Sequence, residues 1–99
     1  MDHWRVCLIM PFLDEARHLP AVLASLEAQT YDRDRLYLIA VDNGSMDGGS
    51  EVVRDWLARS DVAGQVIRTE VRSIPHALNR ALAHVHPDDY VVRVDAHTI

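Results

Sequence analysis

The chain contains no lysine; all ten of its cationic residues are arginine. That excludes a Walker A phosphate loop, a Schiff-base lysine and a receiver-type phosphorylation site with its lysine. There is a single cysteine, Cys7, so neither an intrachain disulfide nor a cysteine-based zinc site can form. A lone cysteine within an apolar run reads as a buried strand residue. Positive charge is scarce: 15 acidic residues against 10 basic ones leave a net charge of -5. A general nucleic-acid binder needs a basic face to displace counterions, so that class is not expected. No apolar run approaches the roughly 18–20 residues that span a bilayer. The stretch from Met1 to Arg5 leads straight into a strand-length run, so no signal peptide is read there. What remains is 99 residues, 48% hydrophobic and 25% charged, the composition of one small globular domain.

Apolar runs and helical patterns alternate along the chain. Arg5–Met10 reads as a buried strand stopped by Pro11. Leu19, Val22, Leu23 and Leu26 fall at helical spacing, which predicts a helix over His18–Gln29 with Pro20 in its first turn. Tyr37–Val41 is a second strand, ending at Asp42. The loop Asn43–Ser50 follows, and Asp47 or Ser50 is suited to cap the next helix. That helix presents Val52, Val53, Trp56 and Leu57. A turn over Asp61–Gly64 leads to a third strand, Gln65–Thr69. Ile74, Ala77, Leu78, Ala81, Leu82 and Val85 make the clearest helical stripe. Tyr90–Val94 is a fourth strand, ending at Asp95, and Trp56 and Tyr90 read as packing residues. The order β-α-β-α-β-α-β implies an α/β, Rossmann-like, mostly parallel sheet in a single domain over residues 1–99.

In such a sheet, ligands bind beyond the carboxyl ends of the strands. Pro11-Phe12-Leu13-Asp14-Glu15, Asp42-Asn43-Gly44-Ser45, Glu70-Val71-Arg72-Ser73 and Asp95-Ala96-His97 all follow strands, so they should share one edge. Polar βα loops also occur simply because they face solvent and cap helices, and Asp14, Glu15, Asp47 and Ser50 fit that plainer role. Asp42 and Asp95 each terminate a hydrophobic strand, where an unpaired charge is costly, and are the stronger candidates. The first of these loops has no glycine, so the G-x-G-x-x-G dinucleotide fingerprint is missing. Asp95 and His97 lie two apart in extended chain and point to the same side, a pair suited to a divalent ion. The His84–His86 pair at a helix end reads as cations placed near the helix dipole.

As a set, these motifs resemble the start of a family 2 glycosyltransferase of the GT-A fold. The residues concerned are Pro11-Phe12-Leu13-Asp14-Glu15, Leu26-Glu27-Ala28-Gln29-Thr30-Tyr31, Val41-Asp42-Asn43-Gly44-Ser45-Met46-Asp47-Gly48, Asn79-Arg80-Ala81-Leu82 and Tyr90–His97, in the family's order. The resemblance runs from about Val6 to Thr98 and is nearest to the succinoglycan-type exopolysaccharide branch, whose motif also reads Asp-Ala-His. It implies a nucleotide-binding half of a GT-A fold that receives a nucleoside-diphosphate sugar, UDP-type favoured. Pro11, Phe12 and Glu15 would border the base and ribose, Asp42 would meet the base, and Arg72 the base or phosphates. Asp95 and His97 stand at the family's D-x-D motif and would hold Mn2+ or Mg2+, with Asp95 also touching ribose. The acceptor would be a saccharide or a lipid-linked hydroxyl, and the general base is expected beyond Ile99, in a parent protein of which this chain is a truncated part. That parent is expected in the cytoplasm, peripheral at the inner face of the membrane. Three positions depart from the family: Asp14 for an Asn, Asn43 for a second Asp, and His97 for the second metal acid. The last resembles the D-x-H motif of polypeptide N-acetylgalactosaminyltransferases.

Two other readings are open. A sugar-1-phosphate nucleotidyltransferase shares the half-fold but needs a glycine-rich first loop and a lysine, both absent. A non-catalytic nucleotide-binding module, or an inactive fragment of the same fold, needs nothing further.

Overall fold

The structure, a computed structural model, describes residues 5–28 and 33–96. The expected alternation is present: β1 (Val6–Phe12), α1 (Leu19–Glu27), a 3-10 turn (Arg33–Arg35), β2 (Leu36–Asp42), α2 (Gly49–Arg59), β3 (Ala63–Arg68), α3 (Ile74–Leu82) and β4 (Tyr90–Arg93). The four strands form one parallel sheet in the order β3-β2-β1-β4. The chain winds outward from β1 through β2 to β3, then crosses back to place β4 on the far side of β1. The winding therefore reverses between β1 and β4, where an open α/β sheet forms its crevice.

That reversal also sorts the helices. Side chains alternate across a strand, so Val6, Leu8, Met10 and Phe12 face one way and Cys7 and Ile9 the other. The first set packs with Leu19, Val22, Leu23 and Leu26 of α1 and with Val53 and Trp56 of α2. The second packs with Ile39, Val41 and Ile67 and with Ala77 and Ala81 of α3. Trp56 is buried, and its Nε1–H donates to the Glu27 carboxylate. No helix among the described residues is long and apolar enough to cross a membrane.

Several boundaries differ from the sequence pattern. Pro11 does not stop β1; it lies within it, opposite Val41. The Ile9 carbonyl accepts from Val94 N–H and the Phe12 carbonyl from Asn43 N–H. Alternation then turns the Pro11 nitrogen toward β4, the side on which a ladder bond is lost. Pairing of β1 with β4 runs only over Val6–Ile9, and the two strands part beyond it.

The third strand begins at Ala63, inside the expected turn, because Gly64 pairs with Leu38. A Cβ at Gly64 would strike the Leu38 carbonyl, so this glycine serves close packing instead of a turn. The third helix ends at Leu82; Val85 lies past it yet still packs on the second core. Ile74 and Leu82 of its apolar stripe are exposed. Tyr90 is 64% exposed, so it is not the buried core residue the sequence pattern suggests.

At the amino edge of the sheet, Arg5 Nε sits 3.0 Å from both Asp89 oxygens, and Arg5 Nη2 donates to the His84 carbonyl. The Cys7 thiol and His86 N–H also donate to Asp89 Oδ2. The guanidinium stacks 4.4 Å from the Tyr37 ring centroid. This group ties the start of β4 to β1. Burial, then the bond to Asp89, push the Cys7 thiol up to about 11.

Candidate functional site

Asp42 ends β2 and is fully buried. Its Oδ1 accepts from Gly44 N–H at 3.1 Å and Ser45 N–H at 2.6 Å. Its Oδ2 accepts from the Ser50 hydroxyl of α2 and from Arg68 Nη1 of β3, the latter at 3.1 Å. Burial alone would raise its pKa. The bonds from Ser50 and Ser45 and the Arg68 charge outweigh that and hold the carboxyl below its ordinary range. Ser50 is thus bound to Asp42 and does not cap α2. The N-cap is Gly48, with Asp47 Oδ1 accepting from Gly49 N–H at 3.2 Å. Arg68 also donates to the Ser45 carbonyl at 3.0 Å and lies 3.3 Å from Glu70 Oε1. Gly44 turns this loop at φ +101°, a region that other residues rarely enter.

The loop after β1 is tied to the one after β2. Asp14 N–H donates to Ser45 Oγ, and Asp14 Oδ1 accepts from Met46 N–H, each at 2.8 Å. Asp14 holds φ +53°, a left-handed conformation that Asp and Asn tolerate best after glycine. Asp47 Oδ2 adds a bond from Ala16 N–H at 3.0 Å. Glu15 faces His18 Nδ1 at 2.8 Å.

Between the loop after β1, the start of α3 and the end of β4 lies a cleft of about 270 Å³, at the point where the winding reverses. Pro11, Phe12, Glu15 and Asp95 line it, as do Ile74 and Arg93, which the sequence pattern did not single out. Arg93 was readable in principle, since it lies in the expected fourth strand two positions before Asp95. Asp42 and Arg72 do not line this cleft. Arg72 instead approaches the β2 loop: its Nε and Glu70 Oε2 are the side-chain atoms nearest to where a Gly44 Cβ would stand. Asn43, marked in the sequence only as a departure from the family pattern, is also placed here. It is 2% exposed, and its Oδ1 has no hydrogen-bond partner among the described residues. A buried acceptor left unpaired is costly, and its position directly after Asp42 was the available signal.

His97 lies outside the described residues. Among those described, no group of three His, Cys, Asp or Glu side chains could enclose a metal ion. Asp95 and Glu15 do share the cleft, with Asp95 exposed at its edge. One or two carboxylates suit a hard divalent ion that takes its other ligands from phosphate oxygens and water. The donor set therefore fits a metal carried with its ligand, and not a closed protein cage.

Residues 7–99 match the profile of Glycosyl transferase family 2. Glycosyltransferase AglE of Haloferax volcanii is 30% identical over 77 residues, which are 78% of this chain and 25% of AglE. The mannosyltransferase PcManGT from Pyrobaculum calidifontis, solved with GDP-Man and Mn2+, superposes with a TM-score of 0.83 at 35% identity. That match covers 94% of this chain and 27% of PcManGT. TarS from S. aureus, solved with UDP-GlcNAc, shares the fold with a TM-score of 0.79 at 23% identity, over 94% of this chain and 26% of TarS. This chain spans about a quarter of the length of each of these proteins. The match over nearly all of its sequence, with the GT-A architecture beneath it, makes the chain a member of glycosyl transferase family 2.

Proposed function

We propose that this chain is the donor-binding part of a glycosyltransferase that moves a sugar from a nucleoside-diphosphate sugar to an acceptor hydroxyl. The observation that carries this reading is the cleft at the winding reversal, which gathers Pro11, Phe12, Glu15 and Asp95. The family membership and the GDP-Man of PcManGT support it. The Asp95-Ala96-His97 motif favours a succinoglycan-type role in polysaccharide or glycolipid synthesis, on a saccharide or lipid-linked acceptor at the cytoplasmic face of a membrane.

Each residue then has a task. Pro11 and Phe12 offer an apolar wall to the base and ribose. Asp42 holds Gly44 and Ser45 in the turn against which the base would rest, and Asn43 Oδ1 can accept a hydrogen bond from it. Arg72, beside Gly44, is placed for the base or the phosphates. Asp95, with His97, would hold a divalent ion, Mn2+ or Mg2+. That ion supplies Lewis-acid neutralisation of the diphosphate's charge. The general base would come from a segment beyond Ile99.

Isothermal titration of the chain with UDP and with GDP, with and without Mn2+ or Mg2+, tests the reading. Metal-dependent binding in the millimolar to micromolar range is expected, about -4 to -8 kcal/mol. Absence of binding by a folded sample to either nucleotide, with either ion, overturns it.

A further inference from the structure

The cleft presents an electrostatic problem to the ligand proposed for it. Two of its lining residues, Glu15 and Asp95, are carboxylates, and the chain as a whole carries a net charge of -5. A diphosphate entering there meets like charge. This chain has no lysine, so among its own side chains the permanent cations available to relieve this are arginines. Among the described residues only one arginine lines the cleft, and it is Arg93.

The other arginines near the sheet are committed or elsewhere. Arg5 is bound to Asp89 at the opposite edge, and Arg68 is bound to Asp42. Arg72 lies against the β2 loop, outside the cleft. The Arg93 side chain is exposed and makes no hydrogen bond or ion pair among the described residues. It is the last residue of β4, paired with Ile9, immediately before β1 and β4 part. Two positions later comes Asp95, which also lines the cleft. A cation and a carboxylate therefore stand together at the cleft wall, the cation with its side-chain donors unspent among the described residues.

We propose that Arg93 binds the phosphates of the donor directly, through the planar donor fork of its guanidinium, while Asp95 serves the metal. A guanidinium matches phosphate oxygens in a bidentate geometry that an ammonium cannot reproduce. The inference rests on the donor-site reading above. It adds the residue that discriminates a nucleoside diphosphate from the bare nucleoside.

The test compares UDP, GDP, uridine and guanosine, titrated with Mn2+ into the wild-type chain, Arg93→Ala and Arg93→Lys. Arg93→Ala is expected to weaken diphosphate binding about 10-fold or more, with nucleoside binding unchanged and part of the loss restored in Arg93→Lys. Equal thermal melting of the three chains is expected, because the side chain is exposed and has no partner among the described residues. Wild-type diphosphate affinity in Arg93→Ala overturns the inference alone. So does an equal loss of nucleoside binding, which would mark a role toward the base, the ribose or the fold. If the folded wild-type chain binds no diphosphate, the donor-site reading itself fails, and this inference with it.

Discussion

Asp14 and Ser45 stand 31 positions apart, yet the Asp14 N–H donates to the Ser45 hydroxyl at 2.8 Å. The Asp14 carboxylate returns the tie by accepting from Met46 N–H. Ser45 N–H in turn donates to Asp42. The loop after β1, which borders the cleft, and the loop after β2 are thus one hydrogen-bonded unit, and its members predict its weak points.

Asp14→Ala should destabilise the chain by about 1–2 kcal/mol, through the lost acceptor and the left-handed backbone. Asp14→Asn should cost far less, since Asn keeps an acceptor and tolerates that φ. Urea unfolding of the two variants side by side measures the difference.

Asp42→Ala should be the more damaging change. It leaves Gly44 N–H, Ser45 N–H and the Ser50 hydroxyl without their acceptor at a buried position. A loss of about 2–4 kcal/mol is expected in the same urea assay.

Stability should fall in acid. Asp42 and Asp89 each start from an ordinary carboxylate value of 3.8 and are lowered in the folded chain. For Asp89, burial opposes the shift, and the bonds from His86, Cys7 and Arg5 prevail. A depressed folded pKa means that the unfolded chain binds more protons. The stabilisation is therefore complete above the unfolded value and is lost as pH falls through the folded values. Thermal melts from pH 6 downward should hold steady to about pH 5 and then drop. Asp89→Asn should flatten part of that drop.

Asp95→Ala should leave the melting temperature unchanged, because the side chain is exposed at the cleft edge. It should remove the metal dependence of nucleotide binding. Titration with and without Mn2+ reads this, and metal-dependent binding at wild-type strength would reject the assignment.

Cys7 should resist alkylation while the chain is folded. It is buried, and its thiol is pushed up to about 11, so little thiolate exists at pH 8. Iodoacetamide labelling followed by mass spectrometry should show modification in urea and almost none without it.

The element order was legible in the sequence because strand-length apolar runs and helical stripes carry different periods. Boundaries were less so. Pro11 and Gly64 look like breaks, but one turns its missing N–H to the side where β4 ends, and the other packs flat on Leu38. Neither fact exists until strands are paired. The site divides along the same line. Pro11, Phe12, Glu15 and Asp95 follow from the rule that ligands gather at strand ends. Which loops adjoin depends on strand order, which the pattern left open, so Arg93 and Ile74 were not marked as site residues and the groups that hold Asp42 were not foreseen. Its four donors come from β2's own loop, α2 and β3, a convergence that no local motif announces.

Pro11 has one more effect. A cleft held open by a bulky side chain can collapse when that side chain changes rotamer, and one held open by charge repulsion closes with salt or pH. Here the strands separate where a ladder donor is missing from the covalent chain itself. No solvent condition, ion or rotamer supplies that hydrogen. The ladder bond missing at Pro11 on the β4 side is therefore a property of the sequence itself, the same in any medium.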